Sequence, residues 1–197
     1  MKIALATKNP GKIREIRSIL EGLSIELAGL DELSIKELPP ENGRTFRENA
    51  LKKARFVSQK AGLPAIADDS GLEVDALGGR PGVYSARYGG RTDRDRYMKL
   101  LEELKDIPDK ERTARFRCVI ALVTPDGEEK TFEGVLEGRI STEPRGRYGF
   151  GYDPVFYIPH RGKTLAEIPP EEKNLISHRA MALKKLRDYL SGRTHLT

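Results

Sequence analysis

Little in this chain could staple it, ligate a soft metal or hold it in a bilayer. Its 197 residues include no tryptophan, three histidines and one cysteine. A single cysteine excludes an intramolecular disulfide and any zinc site built from several thiolates. Cys118 opens the apolar strand-like run Cys118-Val119-Ile120-Ala121-Leu122-Val123, where a thiol is expected to be buried and inert. Nowhere do the ~18 apolar residues of a membrane span run together. The opening Met1-Lys2-Ile3-Ala4-Leu5-Ala6-Thr7 has too short an apolar stretch for a secretory signal. A cytoplasmic protein with no membrane partner is expected. Internal repeats, low-complexity tracts and linker-like stretches are absent from the sequence.

What is abundant is charge. Charged residues make up 33% of the chain, above the usual ~25%. Lys and Arg number 35 against 30 Asp and Glu, a formal net charge of +5. That excess suits an anionic partner without telling nucleic acid from a small phosphate compound. The apolar fraction of 38% is modest, but a chain of this length can bury roughly 70% of its unfolded surface. One domain over 1–197, of one or two lobes, is expected.

The periodicities alternate between helix and strand. Residues 2–7 read as a short buried strand, after which Asn9 is a good N-cap and Pro10 fits the first helical turn. Ile13, Ile16, Ile19, Leu20 and Leu23 keep helical spacing. Thr45-Phe46-Arg47-Glu48 reads as a capping box opening a second helix that Gly62 ends. Thr92 with Asp95 opens a third. From Arg112 to Thr124 the pattern alternates; Pro125-Asp126-Gly127 is turn chemistry, and alternation resumes to Ile140, so a long hairpin is expected. A final helix capped by Ser177 would turn Ala180, Leu183, Leu186 and Leu190 inward. The class is α/β, with strands and helices around one sheet.

The unusual segments lie between these elements. Thr7-Lys8-Asn9-Pro10-Gly11-Lys12 joins a strand to a helix N-terminus, whose free N–H groups and positive dipole end can receive an anion. It lacks the glycine and Ser/Thr of a Walker A loop, and a plain N-cap would also explain it. Asp68 and Asp69 follow the apolar Leu63-Pro64-Ala65-Ile66 at the expected end of a buried strand. Adjacent carboxylates there repel and resist desolvation. A divalent cation, neighbouring Lys or Arg, or a solvated Asp-Asp-Ser-Gly turn would each relieve them, and triphosphate chemistry favours the metal. Between Gly78 and Gly90 five glycines accompany two arginines, which suits an ordered loop. In Gly149-Phe150-Gly151-Tyr152-Asp153-Pro154 an aromatic stands between glycines; it could meet a flat ring or fill a hairpin loop. Lys173 and Ser177-His178-Arg179, expected at the start of the final helix, put Lys and Arg around a histidine that could equally be a surface residue.

Taken together, TKNPGK, FRENALKKA, ADDSGLEVDALGGRPGVYSARYGG, FGYDPVF and EEKNLISHRAMAL occur in the order and at roughly the spacing of the inosine/xanthosine triphosphate pyrophosphatase (Ham1-like) family. The resemblance runs from Lys2 to about Leu190, and each motif alone is weak where five together are specific. It implies hydrolysis of dITP, ITP and XTP to the monophosphate and pyrophosphate, with Mg2+, in a homodimer. It implies an elongated two-lobed α/β fold, a long mixed β-sheet flanked by helices, and a cleft between the lobes. By the same resemblance Thr7, Asn9 and Lys12 meet the triphosphate; Lys8, where the family pattern varies, Pro10 and Gly11 are expected to meet it from the same loop. Asp69 would be the general base, with Glu41, Asp68 and Asp69 the metal-ligand set; which aspartate does which stays open.

Lys53, in the second helix, is expected to neutralise phosphate charge, unless it is an ordinary exposed helix lysine. Ser70 would touch substrate from the same turn as the aspartates. Phe150 would stack on the purine, with Gly151, Tyr152 and Asp153 beside it. Lys173, His178 and Arg179 are donors that can bond a 6-oxo group but would face donor against donor with a 6-amino group. The rivals are a different small pyrophosphatase (Maf-like), a phosphatase cutting at the γ position, and a nucleic-acid-binding module. The last is disfavoured because an acidic pocket repels a phosphate backbone, so no stable nucleic-acid partner is expected.

Overall fold

The computed structural model describes residues 1–194. Seven strands form one sheet in the order β2-β1-β3-β4-β5-β6-β7: β1 (Lys2–Leu5), β2 (Glu26–Ala28), β3 (Ala65–Val74), β4 (Thr113–Val123), β5 (Glu129–Ile140), β6 (Phe156–Ile158) and β7 (Lys163–Thr164). Among the described residues five α-helices accompany them: α1 (Pro10–Ile19), α2 (Phe46–Ala61), α3 (Asp93–Glu103), α4 (Pro170–Ile176) and α5 (His178–Thr194). The sheet is mixed. β1 pairs in parallel with β2 and β3, while β6 is antiparallel to β5 and β7. The turn between β4 and β5 closes where Thr124 N–H donates to the Glu128 carbonyl, the hairpin that the alternation predicts.

The chain divides into two compact units. The first comprises Met1–Asp69, Cys118–Gly134 and the residues from Arg179 on; the second comprises Ser70–Arg117 and Val135–His178. The first unit's core is β1, α1, the inner ends of β3 and β4, and α5. Ile3, Leu5, Ile16, Ile66, Ile120 and Leu183 are each at most 1% exposed there. Ala180, Leu183, Leu186 and Leu190 face inward on α5, as the helical spacing requires. In the second unit Phe116 packs on Phe156 with ring centroids 4.4 Å apart. The buried Arg112 guanidinium donates to the carbonyls of Leu104, Ile140 and Ser141, tying the end of α3 to the end of β5.

The helix starts follow the capping chemistry with one departure. Asn9 Oδ1 accepts from Lys12 N–H, and Thr92 and Asp95 exchange both bonds of a capping box. At α2, Thr45 accepts from Glu48 N–H, but the Glu48 carboxylate accepts from Arg44 N–H, one residue before the cap. The expected box at Thr45 is therefore only half formed. Two further expectations need correcting. Asp68, Asp69 and Ser70 are not in a turn at a strand end, because β3 runs on through them to Val74. Lys173 is not at the start of the final helix; it lies on the separate α4, whose C-terminal flank is Ser177.

Candidate functional site

Parallel pairing of β1 with β3 sets the first cluster. Leu5 pairs with Ile66; two residues on, Thr7 lies just past the end of β1 and Asp68 lies within β3. The loop entering α1 thus begins beside the carboxylates, at the carboxyl end of β1, where open sheets present their ligand sites. Thr7 is buried and its Oγ1 accepts from Asn9 N–H. Lys8, Asn9 and Pro10 are exposed, Gly11 is buried and Lys12 is half-buried. Lys8 Nζ reaches the Lys36 carbonyl.

Asp68, fully buried, is held by three groups. Lys12 Nζ lies 2.5 Å from Oδ1, Arg179 Nε lies 2.7 Å from Oδ2, and the Cys118 thiol is 3.2 Å from Oδ2. Burial alone would raise this carboxyl, but the charges of Arg179 and Lys12 outweigh it and hold it well below the usual carboxylate range. Arg179, 2% exposed, uses its other arm on Glu15 Oε2 at 2.6 Å. The Arg179 expected among the donors to a purine oxo group is therefore gathered into the carboxylate cluster. The Cys118 thiol is buried as expected, and burial followed by the neighbouring Asp68 charge pushes it well up.

Asp69 sits differently. Lys53 Nζ is 3.9 Å from its Oδ1, and its Oδ2 is buried with no hydrogen-bond partner. Burial pushes Asp69 up; Lys53 opposes this, and a hydrogen bond with Glu41 reinforces it, leaving the carboxyl at about 7. Glu41 is also raised by burial, but Lys53 and the bond with Asp69 pull it below the ordinary range. Lys53 is not an exposed helix lysine. It is 4% exposed and donates to the Asp68 carbonyl at 2.7 Å and Glu41 Oε1 at 3.2 Å. Among the described residues, no group of three or more His, Cys, Asp or Glu side chains is arranged to hold a metal. The expected Glu41, Asp68 and Asp69 thus do not converge as a three-carboxylate centre, because the Asp68 oxygens are turned to cations and a thiol. Glu41 and Asp69 are the two that touch.

The second cluster lies in the second unit. Lys173, 2% exposed, places Nζ 2.6 Å from Asp153 Oδ2 and 4.7 Å from the Phe150 ring centroid. Asp153 Oδ2 also accepts from Phe150 N–H at 3.0 Å. Gly149, at φ +72°, makes room for this: a Cβ there would fall 2.0 Å from Asp153 Oδ2. His178 is buried rather than on the surface, its ring stacked on Phe116 at 4.6 Å. Ser70 is half-buried on β3.

Sequence reasoning named Tyr152 in this second loop but not the partners that fix it. Asp93 Oδ2 accepts from Gly151 N–H at 2.8 Å. The Tyr152 hydroxyl donates to the Ser85 carbonyl at 2.7 Å, and Ser85 Oγ accepts from Leu72 N–H. The glycine-rich segment 78–90 is in this way the bracket of the 149–153 loop. Glu15, Asp93 and Ser85 were missed because each reads locally as an ordinary helix or turn residue.

A family model described as the Ham1 family matches residues 3–189. A Geobacter sulfurreducens protein named dITP/XTP pyrophosphatase is 52% identical over 191 residues, 96% of each chain. A Thermus thermophilus protein of the same name is 54% identical over 187 residues, covering 94% of this chain and 90% of its own. Among solved structures, one described as a HAM1 protein from Coxiella burnetii superposes with a TM-score of 0.90 at 45% identity, over 98% of this chain and 99% of that one.

Proposed function

The chain belongs to the Ham1 family, and from that membership and the two clusters we propose that it hydrolyses dITP, ITP and XTP to the monophosphate and pyrophosphate. It removes these non-standard purine nucleotides from the pool before they enter DNA or RNA, and the chain 1–197 serves as one pyrophosphatase domain. The observation that carries the reading is Asp69: a buried carboxylate with one oxygen unpartnered, beside Lys53, and with a proton affinity near neutrality. A general base works best with its pKa near the working pH.

In the first unit, the N–H groups at the start of α1, with Thr7, Lys8, Asn9, Pro10, Gly11 and Lys12, receive the phosphate tail. Asp69 takes a proton from the water that attacks the α-phosphorus; as the new P–O bond forms, the bond from that phosphorus to the α,β-bridging oxygen breaks and pyrophosphate leaves with its electron pair. Lys12 and Lys53 neutralise the charge that grows on the leaving group. Glu41 and Asp69 would hold Mg2+: they are hard oxygen donors, one with an orphaned buried oxygen, and Mg2+ takes one or two carboxylates beside substrate phosphates. When bound, the ion supplies Lewis-acid stabilisation of the phosphate charge. Asp68 remains the anchor that holds Lys12 and Arg179.

In the second unit, Phe150 offers a ring face to the purine, with Gly151, Tyr152 and Asp153 setting the loop and Ser70 contacting substrate. An ammonium carries three N–H groups, so Lys173 can donate to a 6-oxo acceptor while still paired with Asp153. His178 is the second donor. A 6-amino group would set donor against donor and leave buried polar groups unmatched. The enzyme acts in the cytoplasm as a homodimer, which sedimentation at assay concentration checks. The decisive assay measures pyrophosphate release from ITP, XTP, GTP and ATP with and without Mg2+. Pyrophosphate from ITP and XTP only when Mg2+ is present supports the reading; orthophosphate, or equal rates on ATP, sinks it.

A further inference from the structure

Glu41 lies in a segment, residues 36–45, that forms neither helix nor strand. Its position is nevertheless fixed, because α2 grips five consecutive residues. Lys52 Nζ donates to the Pro40 carbonyl at 3.0 Å and to Asn42 Oδ1 at 2.7 Å. Lys53 Nζ donates to Glu41 Oε1. Asn49 Oδ1 accepts from Gly43 N–H at 2.8 Å, and Glu48 Oε2 accepts from Arg44 N–H at 2.6 Å. The displaced capping bond of Glu48 is part of this grip.

Asn49 is the odd member. It is 0% exposed, and its Nδ2 has no hydrogen-bond partner. Burying an amide donor unpaired costs about 1–3 kcal/mol, and asparagine is a poor residue for a helix interior. Packing does not account for it; the bond from Oδ1 to Gly43 does. Gly43 permits that approach, since a Cβ there would stand 2.6 Å from Asn49 Oδ1 and 2.9 Å from Glu48 Cβ.

We propose that Asn49 is a positioning residue for Glu41: by pinning Gly43 N–H it clamps the 40–44 segment to α2 and holds the Glu41 carboxylate against Asp69 and Lys53. This rests on the reading of Glu41 as a metal-holding carboxylate. Asn49 and Lys53 are one helical turn apart, so a single face of α2 sets both the clamp and the cation.

The test compares Asn49→Ala, Gly43→Ala, their combination and Glu41→Gln in the full chain, with thermal melts confirming folding. Asn49→Ala lowers kcat on ITP by about tenfold or more, with KM changed less than about twofold. Gly43→Ala does the same from the other side of the bond, because its new Cβ displaces Oδ1, and it carries the test should Asn49→Ala not fold. The double variant falls no further than the worse single, since both remove one interaction. Mn2+ binding to nucleotide-free protein, followed by electron paramagnetic resonance, weakens about tenfold in Asn49→Ala, as in Glu41→Gln. Wild-type kcat and Mn2+ affinity in Asn49→Ala, or additive losses in the double variant, overturn the proposal. A loss confined to Glu41→Gln sinks the clamp but leaves the reading of Glu41 standing. A fully active Glu41→Gln that binds Mn2+ normally removes both.

Discussion

In the second unit a buried lysine meets a buried carboxylate: Lys173 on Asp153, whose Oδ2 also accepts from the Phe150 amide. In the first unit Glu15, Glu41, Asp68 and Asp69 share Lys12, Lys53 and Arg179, so the carboxylates outnumber the cations. Balance gives the second cluster a fixed shape. Imbalance gives the first a surplus carboxylate, and that surplus falls on Asp69, which keeps its proton to about pH 7 while Asp68 stays ionised. On the proposed function, the same pairing chemistry serves as a positioning device in one unit and a reactive group in the other.

The sharpest way to break this comparison is to remove one charge from each cluster. Asp69→Asn keeps the shape but cannot accept a proton, so kcat for pyrophosphate release falls about 10³-fold. Because the folded protein disfavours the Asp69 anion, this variant melts at or above the wild-type temperature at pH 8. Asp153→Asn is its counterpart and does the reverse, leaving the Lys173 ammonium buried without its partner, at a cost of about 3–5 kcal/mol. Calorimetric melts of the two variants at pH 8 decide the matter: equal destabilisation would erase the distinction between surplus and balanced carboxylates.

Arg179→Leu is expected to act on the first cluster as a whole. It strips Asp68 and Glu15 of their shared cation and lowers stability by about 3 kcal/mol, with proportionate losses on ITP and ATP. Selective loss on ITP would return Arg179 to the base-reading role that its place after His178 suggested. Lys173→Ala strands the buried Asp153 carboxylate and destabilises like Asp153→Asn, but in the folded enzyme its effect on activity is smaller and selective. The ratio of kcat/KM for ITP over ATP falls about tenfold, roughly the worth of one charge-assisted hydrogen bond. Steady-state kinetics on the two nucleotides measures it.

Much of this was legible from local signals. The caps at Asn9 and Thr92, the β4–β5 alternation and the inward face of α5 are written in residue spacing, and the structure agrees with each. The adjacency of Asp68 and Asp69 announced an electrostatic problem, but not its solution. That came from Arg179, 111 residues away, and from Glu15, 164 residues from Arg179. A single acid on a polar helix face has no local mark distinguishing it from a solvated one. Asn49 left a faint signal as an asparagine inside a helix, readable only once Gly43 is known to lie against it. The turn reading of Asp-Asp-Ser-Gly failed because turn propensity is weak against strand pairing on a buried sheet. The boundary at Ser177 was legible and α5 begins just after it, whereas the seven residues of α4 are too few to show a helical period.

The smallest expected effect follows from protonation and bears on the comparison without any substrate. Asp69 has a folded-state value of about 7 against an ordinary 3.8. Between those values the unfolded chain has released a proton that the folded protein keeps, so stability falls as pH rises and levels off above about 7. Asp68 is lowered, so its contribution is fully present above 3.8 and is lost only as pH falls below that. From about pH 5.5 to 7 the Asp69 slope alone operates in this cluster and amounts to at most about 2 kcal/mol. The measurement is urea unfolding of metal-free protein at both pH values, for wild type and Asp69→Asn. The wild type loses stability across the window and the variant loses less. Parallel curves would mean that Asp69 is ionised throughout, and the surplus carboxylate would have to be sought at Glu41.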